Sequence, residues 1–114
     1  MSQSKKAVRK EFRDTTFKRD GYKCRCCGFK SSIARAEEEL DAHHITPREE
    51  MPGGGYVKEN GISLCKGEDG RSCHEKAELV LKGDDIPGFA PDQLYKLIGS
   101  SRARAVLSRE RLPP

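Results

Sequence analysis

The sequence predicts a small α+β domain in which short strands and flanking helices surround a structural metal site. Its 114 residues allow a single domain and little else. Leu, Ile, Val and Phe account for only 21 of them, so the apolar core is thin. Small chains with thin cores usually need a disulfide, a metal or a partner to stay folded. The five cysteines form an odd set, and no secretory signal precedes them, so we expect metal ligands or reactive thiols rather than disulfides.

The composition excludes a membrane-spanning protein, and the charge distribution leaves open a protein that binds nucleic acid. No apolar run approaches the roughly 20 residues that a membrane span needs, so we expect no membrane partner and a cytoplasmic location. The net charge is +4, but residues 1–30 carry most of the excess, with ten Lys or Arg against three Asp or Glu. A basic segment of this kind suits a polyanion such as nucleic acid. It is equally typical of a solvated, lysine-rich helix.

Two short strands are predicted on either side of a loop. Residues 40–45 (LDAHHI) are strand-like and stop at Thr46-Pro47. Residues 61–65 (GISLC) form the second candidate strand. Between them, residues 46–58 contain two prolines and three consecutive glycines, which predicts a flexible loop.

The clearest helix start lies after the second strand. Ser72-Cys73-His74-Glu75 fits a capping box, with Ser72 as the N-cap and Glu75 three residues later. This helix is expected to run to Gly83, a suitable residue beyond a helix C-terminus. Further helices are predicted over residues 7–19, 33–39, 91–98 and 101–111.

The cysteines are spaced for a tetrahedral metal site. Cys24 and Cys27 form a C-x-x-C pair that can hold one side of an ion. The alternative, a redox pair, normally opens a helix in a βαβ setting, which this sequence lacks. Cys65 and Cys73 would supply the other side if the seven residues between them loop out. Cys26 is then left as a free thiol, and the alternative is that it replaces Cys24 or Cys73 as a ligand.

The chain has three histidines, His43, His44 and His74. Neighbours on a strand point to opposite faces, so His43 and His44 can serve one site only if the strand ends or bulges there. Thr46-Pro47 favours such an ending. His74 lies in the first turn of the predicted helix, where the helix dipole favours the neutral imidazole that binds a metal.

The order of these motifs resembles the HNH endonucleases. The matching segments are RDGYKCRCCG, LDAHHITP, a glycine-rich loop, ENGISLC and SCHEKAE, within residues 13–80. The resemblance implies a ββα-metal finger (the His-Me finger), in which two strands and a helix clasp one catalytic divalent ion. We expect residues 1–114 to be one HNH nuclease domain, with residues 84–114 as a helical C-terminal extension outside the resemblance.

The resemblance also implies roles for individual residues. His44 would be the general base, and His43 and His74 would bind the catalytic ion, which could be Mg²⁺, Mn²⁺, Ni²⁺ or Zn²⁺. Asn60 would steady the loop and the base. The family's structural zinc would be held by Cys24, Cys27, Cys65 and Cys73. The long gap between the last two cysteines departs from the usual second C-x-x-C, which leaves the geometry of that half of the site and the placement of His74 open.

The implied activity is metal-dependent hydrolysis of DNA phosphodiester bonds, by nicking or by double-strand cleavage, with a 5′-phosphate and a 3′-hydroxyl as products. Such proteins occur in phages, restriction systems and other mobile elements, which places this one in a bacterial or phage-infected cell. The alternative is a non-catalytic, zinc-stabilised DNA-binding or adaptor module, which needs the basic helix and the cysteines but not His44. A protein partner bound through residues 84–114 is compatible with either function.

Overall fold

The structure is a computed structural model and describes residues 4–67 and 72–112. In chain order the described elements are α1 (Lys5–Arg19), α2 (Ala36–Glu39), β1 (Leu40–His44), β2 (Gly61–Cys65), α3 (Cys73–Leu81), α4 (Pro91–Leu97) and α5 (Arg102–Glu110). None of the described helices is long and apolar enough to cross a membrane.

The centre of the fold is a two-stranded antiparallel hairpin. β1 and β2 pair in a register that puts Leu40 opposite Cys65 and His44 opposite Gly61. α3 follows β2 directly and packs against it. The predicted small α+β fold with a hairpin and a following helix is therefore confirmed.

The N-terminal helix is anchored to the hairpin through its last turn. It begins two residues earlier than predicted, because the Ser4 hydroxyl caps it by accepting a hydrogen bond from the Ala7 amide at 3.2 Å. At its other end, the buried carboxylate of Asp20 accepts a hydrogen bond from the Ser63 amide of β2 at 2.8 Å. The guanidinium of Arg19 pairs with the same carboxylate at 2.8 Å. This buried charge is thus paired and hydrogen-bonded, as a buried charge must be.

Two other segments differ from the sequence prediction. The helix expected over residues 33–39 forms only over Ala36–Glu39. Ile33 is 78% exposed, so the earlier residues have no core contact that would offset the entropy of ordering a helical turn. The glycine- and proline-rich segment contains three short 3₁₀ turns, over residues 48–50, 52–55 and 58–60.

The C-terminal helices complete the core. Leu94 of α4 and Ala105 of α5 are buried in the same apolar cluster as the hairpin residues Leu40, Ile62 and Leu64. The Ser100 hydroxyl, between these helices, donates a hydrogen bond to the Glu59 carbonyl at 2.9 Å. The C-terminal helices therefore pack against the loop that joins the two strands. The predicted ends of α3, α4 and α5 agree with the structure to within about two residues.

Candidate metal centres and active-site cleft

Four thiols from three separate segments meet at one end of the hairpin. We call them the sulfur cluster, and they belong to Cys24, Cys27, Cys65 and Cys73. Their sulfur atoms all lie within 4.8 Å of one another, and the Sγ atoms of Cys27 and Cys65 are 3.7 Å apart. The structure thus brings together the four cysteines that the spacing indicated.

The first half of the sulfur cluster is a tight turn. The Cys24 amide donates a hydrogen bond to the Phe29 carbonyl at 2.9 Å, and the Gly28 amide donates one to the Cys24 carbonyl at 3.0 Å. Gly28 has a φ of +82°, a conformation that side chains disfavour. The amide of Cys27 also points at Sγ of Cys24, at 3.5 Å. The turn therefore presents both sulfurs on one side.

The second half of the sulfur cluster joins the end of β2 to the start of α3. The Cys73 amide donates a hydrogen bond to Sγ of Cys65 at 3.3 Å. The predicted N-cap is confirmed, because the Ser72 hydroxyl accepts a hydrogen bond from the Glu75 amide at 3.2 Å. Residues 68–71 of the predicted polar loop lie outside the described residues. The wide gap is thus compatible with a compact four-sulfur site.

Cys26 lies beside the sulfur cluster but outside it. Its thiol is half-buried, and burial followed by the charges of Cys24 and Cys27 raises the pKa of Cys26 to about 12. Its sulfur is not among the four that all lie within 4.8 Å of one another. Four sulfurs without an open position are the donor set of a structural zinc site, so the cluster fits the zinc ion that the sequence indicated.

A second group of ligand atoms lies along one face of β1. We call it the acid–imidazole cluster, formed by Asp41, His43 and His74, whose donor atoms all lie within 4.8 Å of one another. Nε2 of His74 is 3.1 Å from Oδ2 of Asp41. The imidazole rings of His43 and His74 have their centroids 5.7 Å apart. The structure therefore brings together the two histidines assigned to the catalytic ion and adds a carboxylate.

Glu78 lies at the edge of the acid–imidazole cluster. Its Oε1 is 3.3 Å from Nε2 of His74 and 3.4 Å from Nδ1 of His43. Nε2 of His43 is buried, and no hydrogen-bond partner for it occurs in the part of the chain that the structure describes. Burial, followed by the nearby His74 and His44, lowers the pKa of His43 to about 3. The imidazole is therefore neutral, which is the state that binds a metal.

These donors fit a divalent ion. With metal–ligand bonds of about 2.0–2.2 Å, ligand atoms around one ion lie roughly 3–4 Å apart, which is the separation of the His74 and Asp41 atoms. A donor set of two imidazoles and one carboxylate is the second observation that fits an ion at this place. The three donors leave positions for water and substrate, as in a catalytic site.

Sequence reasoning missed Asp41 and Glu78, although both had a readable signal. Asp41 precedes His43 by two residues on a strand, so the two side chains share a face. Glu78 follows His74 by four residues on a helix, so these two also share a face. Counting two residues back from His43 along the strand and four residues on from His74 along the helix would have identified both.

His44 lies on the opposite face of β1 from the acid–imidazole cluster. Its ring stacks on Phe12 of α1, with centroids 4.4 Å apart and planes at 28°. The ring of Tyr56 meets it edge-on at 4.7 Å. Gly61, the cross-strand neighbour of His44, makes this packing possible, since a Cβ there would lie 2.8 Å from the Phe12 ring.

The electrostatic surroundings of His44 keep its imidazole neutral. Burial, followed by the positive charge of Arg48, lowers the pKa of His44 to about 4. Nε2 of His44 is buried and has no hydrogen-bond partner among residues 4–67 and 72–112. At neutral pH the ring therefore has a free nitrogen lone pair that can accept a proton.

Asn60 is fully buried beneath the loop that follows β1. Its side-chain oxygen accepts hydrogen bonds from the Thr46 amide at 3.0 Å and from the Tyr95 hydroxyl at 2.6 Å. Its side-chain nitrogen donates to the carbonyls of Thr46 at 3.1 Å and Gly55 at 3.3 Å. All four hydrogen-bonding positions of the amide are thus used, and Asn60 holds the loop next to His44 in one conformation.

Both faces of the end of β1 open onto one cleft of about 760 Å³. The sequence suggested that His43 and His44 could serve one site only if the strand ended or bulged near them. The structure keeps both in the ladder, and β1 ends at His44. Because the strand ends there, the cleft wraps around it and reaches both rings. The cleft is also lined by three arginines, Arg9, Arg13 and Arg48.

Comparison with protein families agrees with this geometry. Residues 24–78 match the family model described as HNH endonuclease. The match covers 55 of the 114 residues, and this part of the chain is similar to the HNH endonuclease family. Comparison with curated proteins and with solved structures gives no significant match. The resemblance expected from the motifs is thus confirmed, and HNH domains are typically nucleases.

The HNH match includes the sulfur cluster, the acid–imidazole cluster, His44 and Asn60, and it excludes α1, α4 and α5. Yet Phe12 of α1 touches His44, and Tyr95 of α4 touches Asn60. Segments outside the family match therefore help to build the candidate site.

Proposed function

We propose that this protein is a metal-dependent DNA endonuclease that hydrolyses phosphodiester bonds, with His44 as the general base. The observation that carries the proposal is the position of His44 on the same cleft as the acid–imidazole cluster. A base and an ion on the two sides of one phosphate can act on the attacking water and on the leaving oxygen. A purely structural metal site would have no need of such an open cleft.

In this proposal His44 takes a proton from the attacking water. Because Nε2 is shielded from solvent, Nδ1 is the nitrogen left for this role. Stacking on Phe12 and edge contact with Tyr56 fix the plane of the ring. Asn60 holds the turn that follows His44, so the ring keeps its position when DNA enters.

Asp41, His43 and His74 would hold the catalytic ion, and Glu78, whose Oε1 lies within 3.4 Å of a nitrogen of each histidine, would lie beside it. The ion, when bound, supplies stabilisation of negative charge on the leaving 3′-oxygen. Two imidazoles and a carboxylate suit Mn²⁺, Ni²⁺ or Zn²⁺ better than Mg²⁺, which prefers oxygen ligands. Thiolates of the sulfur cluster would hold a separate structural Zn²⁺.

The test is cleavage of a supercoiled plasmid by purified zinc-loaded protein with added divalent ions. We expect the wild type to nick or cut it and His44→Ala to lose at least about 100-fold in rate, the usual share of a general base. Zinc content should match that of the wild type, and the variant should remain folded. A His44→Ala variant that cleaves at the wild-type rate would refute the role of His44.

The same assay separates the proposal from a non-catalytic DNA-binding or adaptor module. Such a module would retard DNA in a gel, in a salt-dependent way, yet leave the plasmid intact with every divalent ion tested. Intact plasmid together with retarded DNA would therefore overturn the enzymatic proposal and favour the alternative.

A further inference from the structure

Next to His44 the cleft carries a group of hydrogen-bond donors that the proposed mechanism does not use. Arg9 comes from α1, and Arg48 comes from the turn after β1; both line the cleft. Tyr56 lines the same cleft, and its hydroxyl accepts a hydrogen bond from NH1 of Arg48 at 3.1 Å. We call these three side chains the arginine–tyrosine group.

The charge of this group is not neutralised by ion pairing. Within the described ranges, neither Arg9 nor Arg48 forms a salt bridge, whereas Lys10 on the same helix pairs with Asp14. Burial raises the pKa of Tyr56, but the hydrogen bond from Arg48 and the positive charges of Arg48 and Arg9 outweigh it, so this pKa is lowered. One guanidinium group thus donates to the Tyr56 oxygen, and a second, from a different segment, lines the same cleft.

The chemistry of the group is that of an anion site. A guanidinium only donates hydrogen bonds. Since the Tyr56 oxygen accepts from Arg48, its own proton is available to a ligand. Every polar atom directed at the cleft from this group is then a donor, and phosphate oxygens only accept. Arginine is also the residue best shaped to bind phosphate.

We propose that the arginine–tyrosine group binds a backbone phosphate one step along the strand from the scissile phosphate. This inference rests on the proposed function, in which the scissile phosphate lies between His44 and the acid–imidazole cluster. The group contacts His44 through Tyr56, on the face of β1 opposite Asp41 and His43. Its ligand is therefore a neighbouring phosphate, and the substrate is a strand of at least two phosphates.

The first experiment measures binding without cleavage. Zinc-loaded protein without added divalent ion is titrated into a fluorescent DNA duplex at several salt concentrations. We expect the double variant Arg9→Gln/Arg48→Gln to bind at least about tenfold more weakly at low salt and its log–log salt slope to fall by about 1. The control Lys10→Gln/Lys58→Gln removes the same charge from exposed positions outside the cleft and should change binding much less.

The second experiment locates the phosphate. In Arg9→Gln/Arg48→Gln, KM for DNA should rise at least about tenfold more than KM for bis(p-nitrophenyl) phosphate, which has a single phosphate. Loss of the Arg48 charge beside His44 can change kcat, and that change should be the same for both substrates. An equal rise in KM for both substrates would place the arginines on the scissile phosphate and overturn the assignment. Equal DNA binding by both double variants would also overturn it. If the wild type cleaves neither substrate, the enzymatic proposal fails, and the binding experiment by itself decides whether the arginines hold DNA.

Discussion

The sulfur cluster and the acid–imidazole cluster are built alike but suited to opposite tasks. Each joins a strand of the hairpin to the first turn of α3, which supplies Cys73 to one and His74 to the other. The sulfur cluster offers four soft donors and leaves no position open. The acid–imidazole cluster offers mixed donors and faces a cleft. A closed set holds a fold together, and an open set can take substrate.

The shared helix start explains how a thin core can position a proposed metal ligand. Successive residues on a helix are rotated by about 100°, so Cys73 and His74 point to different clusters from one backbone position. The sulfur cluster anchors Cys73 to Cys65, and His74 is anchored with it. Four variants test the two clusters and the contacts that support them. They are given from the largest expected effect to the smallest.

The largest effect is expected from Cys65→Ala. A structural zinc ion supplies roughly 10–16 kcal/mol to folding, about the whole stability of a domain. The variant should lose its zinc and show no cooperative thermal unfolding by circular dichroism. Cys26→Ala is the matched control, and it should keep about one zinc per chain. If Cys26→Ala lost zinc and Cys65→Ala kept it, the four ligands would be wrongly chosen.

Asp41→Ala should affect the other cluster alone. Removing this carboxylate takes one donor from the proposed catalytic ion, so the divalent concentration for half-maximal cleavage should rise at least about 10- to 100-fold. Zinc content should stay at the wild-type level. Asp85→Ala, at an exposed position distant from the cluster in the chain, is the control. An unchanged metal dependence in Asp41→Ala would exclude Asp41 as a ligand.

Tyr95→Phe tests whether the C-terminal helices support the cleft. The variant loses the hydroxyl that donates to Asn60 at 2.6 Å and contacts the Thr46 hydroxyl at 2.7 Å. Buried polar groups left unpaired cost about 1–3 kcal/mol, measured as a loss of unfolding free energy in urea, and kcat should fall while zinc content holds. The control Tyr22→Phe, outside this network, should leave both the unfolding free energy and kcat unchanged. A kcat equal to that of the wild type would limit Tyr95 to a role in stability.

The smallest effect is expected from Ser72→Ala, which removes the N-cap of α3. A lost N-cap costs about 1 kcal/mol. Because α3 begins with a residue of each cluster, this variant should also raise slightly the divalent concentration needed for cleavage. Ser4→Ala removes the equivalent cap from α1 and should cost similar stability with no change in metal dependence. If Ser72→Ala and Ser4→Ala needed the same divalent concentration for cleavage, the Ser72 cap would have no part in positioning the first turn of α3.

Much of this protein was predictable from local sequence. The C-x-x-C turn, the Ser72 cap and the two short strands follow from spacing and propensity over a few residues. The motif order was enough to predict the HNH family and the hairpin-plus-helix fold. Asp41 and Glu78 were within reach of the same rules, because periods of two and of four residues place them beside His43 and His74.

Other features depend on contacts between segments far apart in the chain, and only the tertiary structure decided them. Phe12 stacks on His44 because Gly61 lets α1 approach β2, and Tyr95 reaches Asn60 because α4 packs behind the loop. Arg9 lines the same cleft as Tyr56 for the same reason. Local propensity acts over a turn or a strand, whereas these contacts arise when buried apolar faces pack, and packing is settled by the whole chain at once.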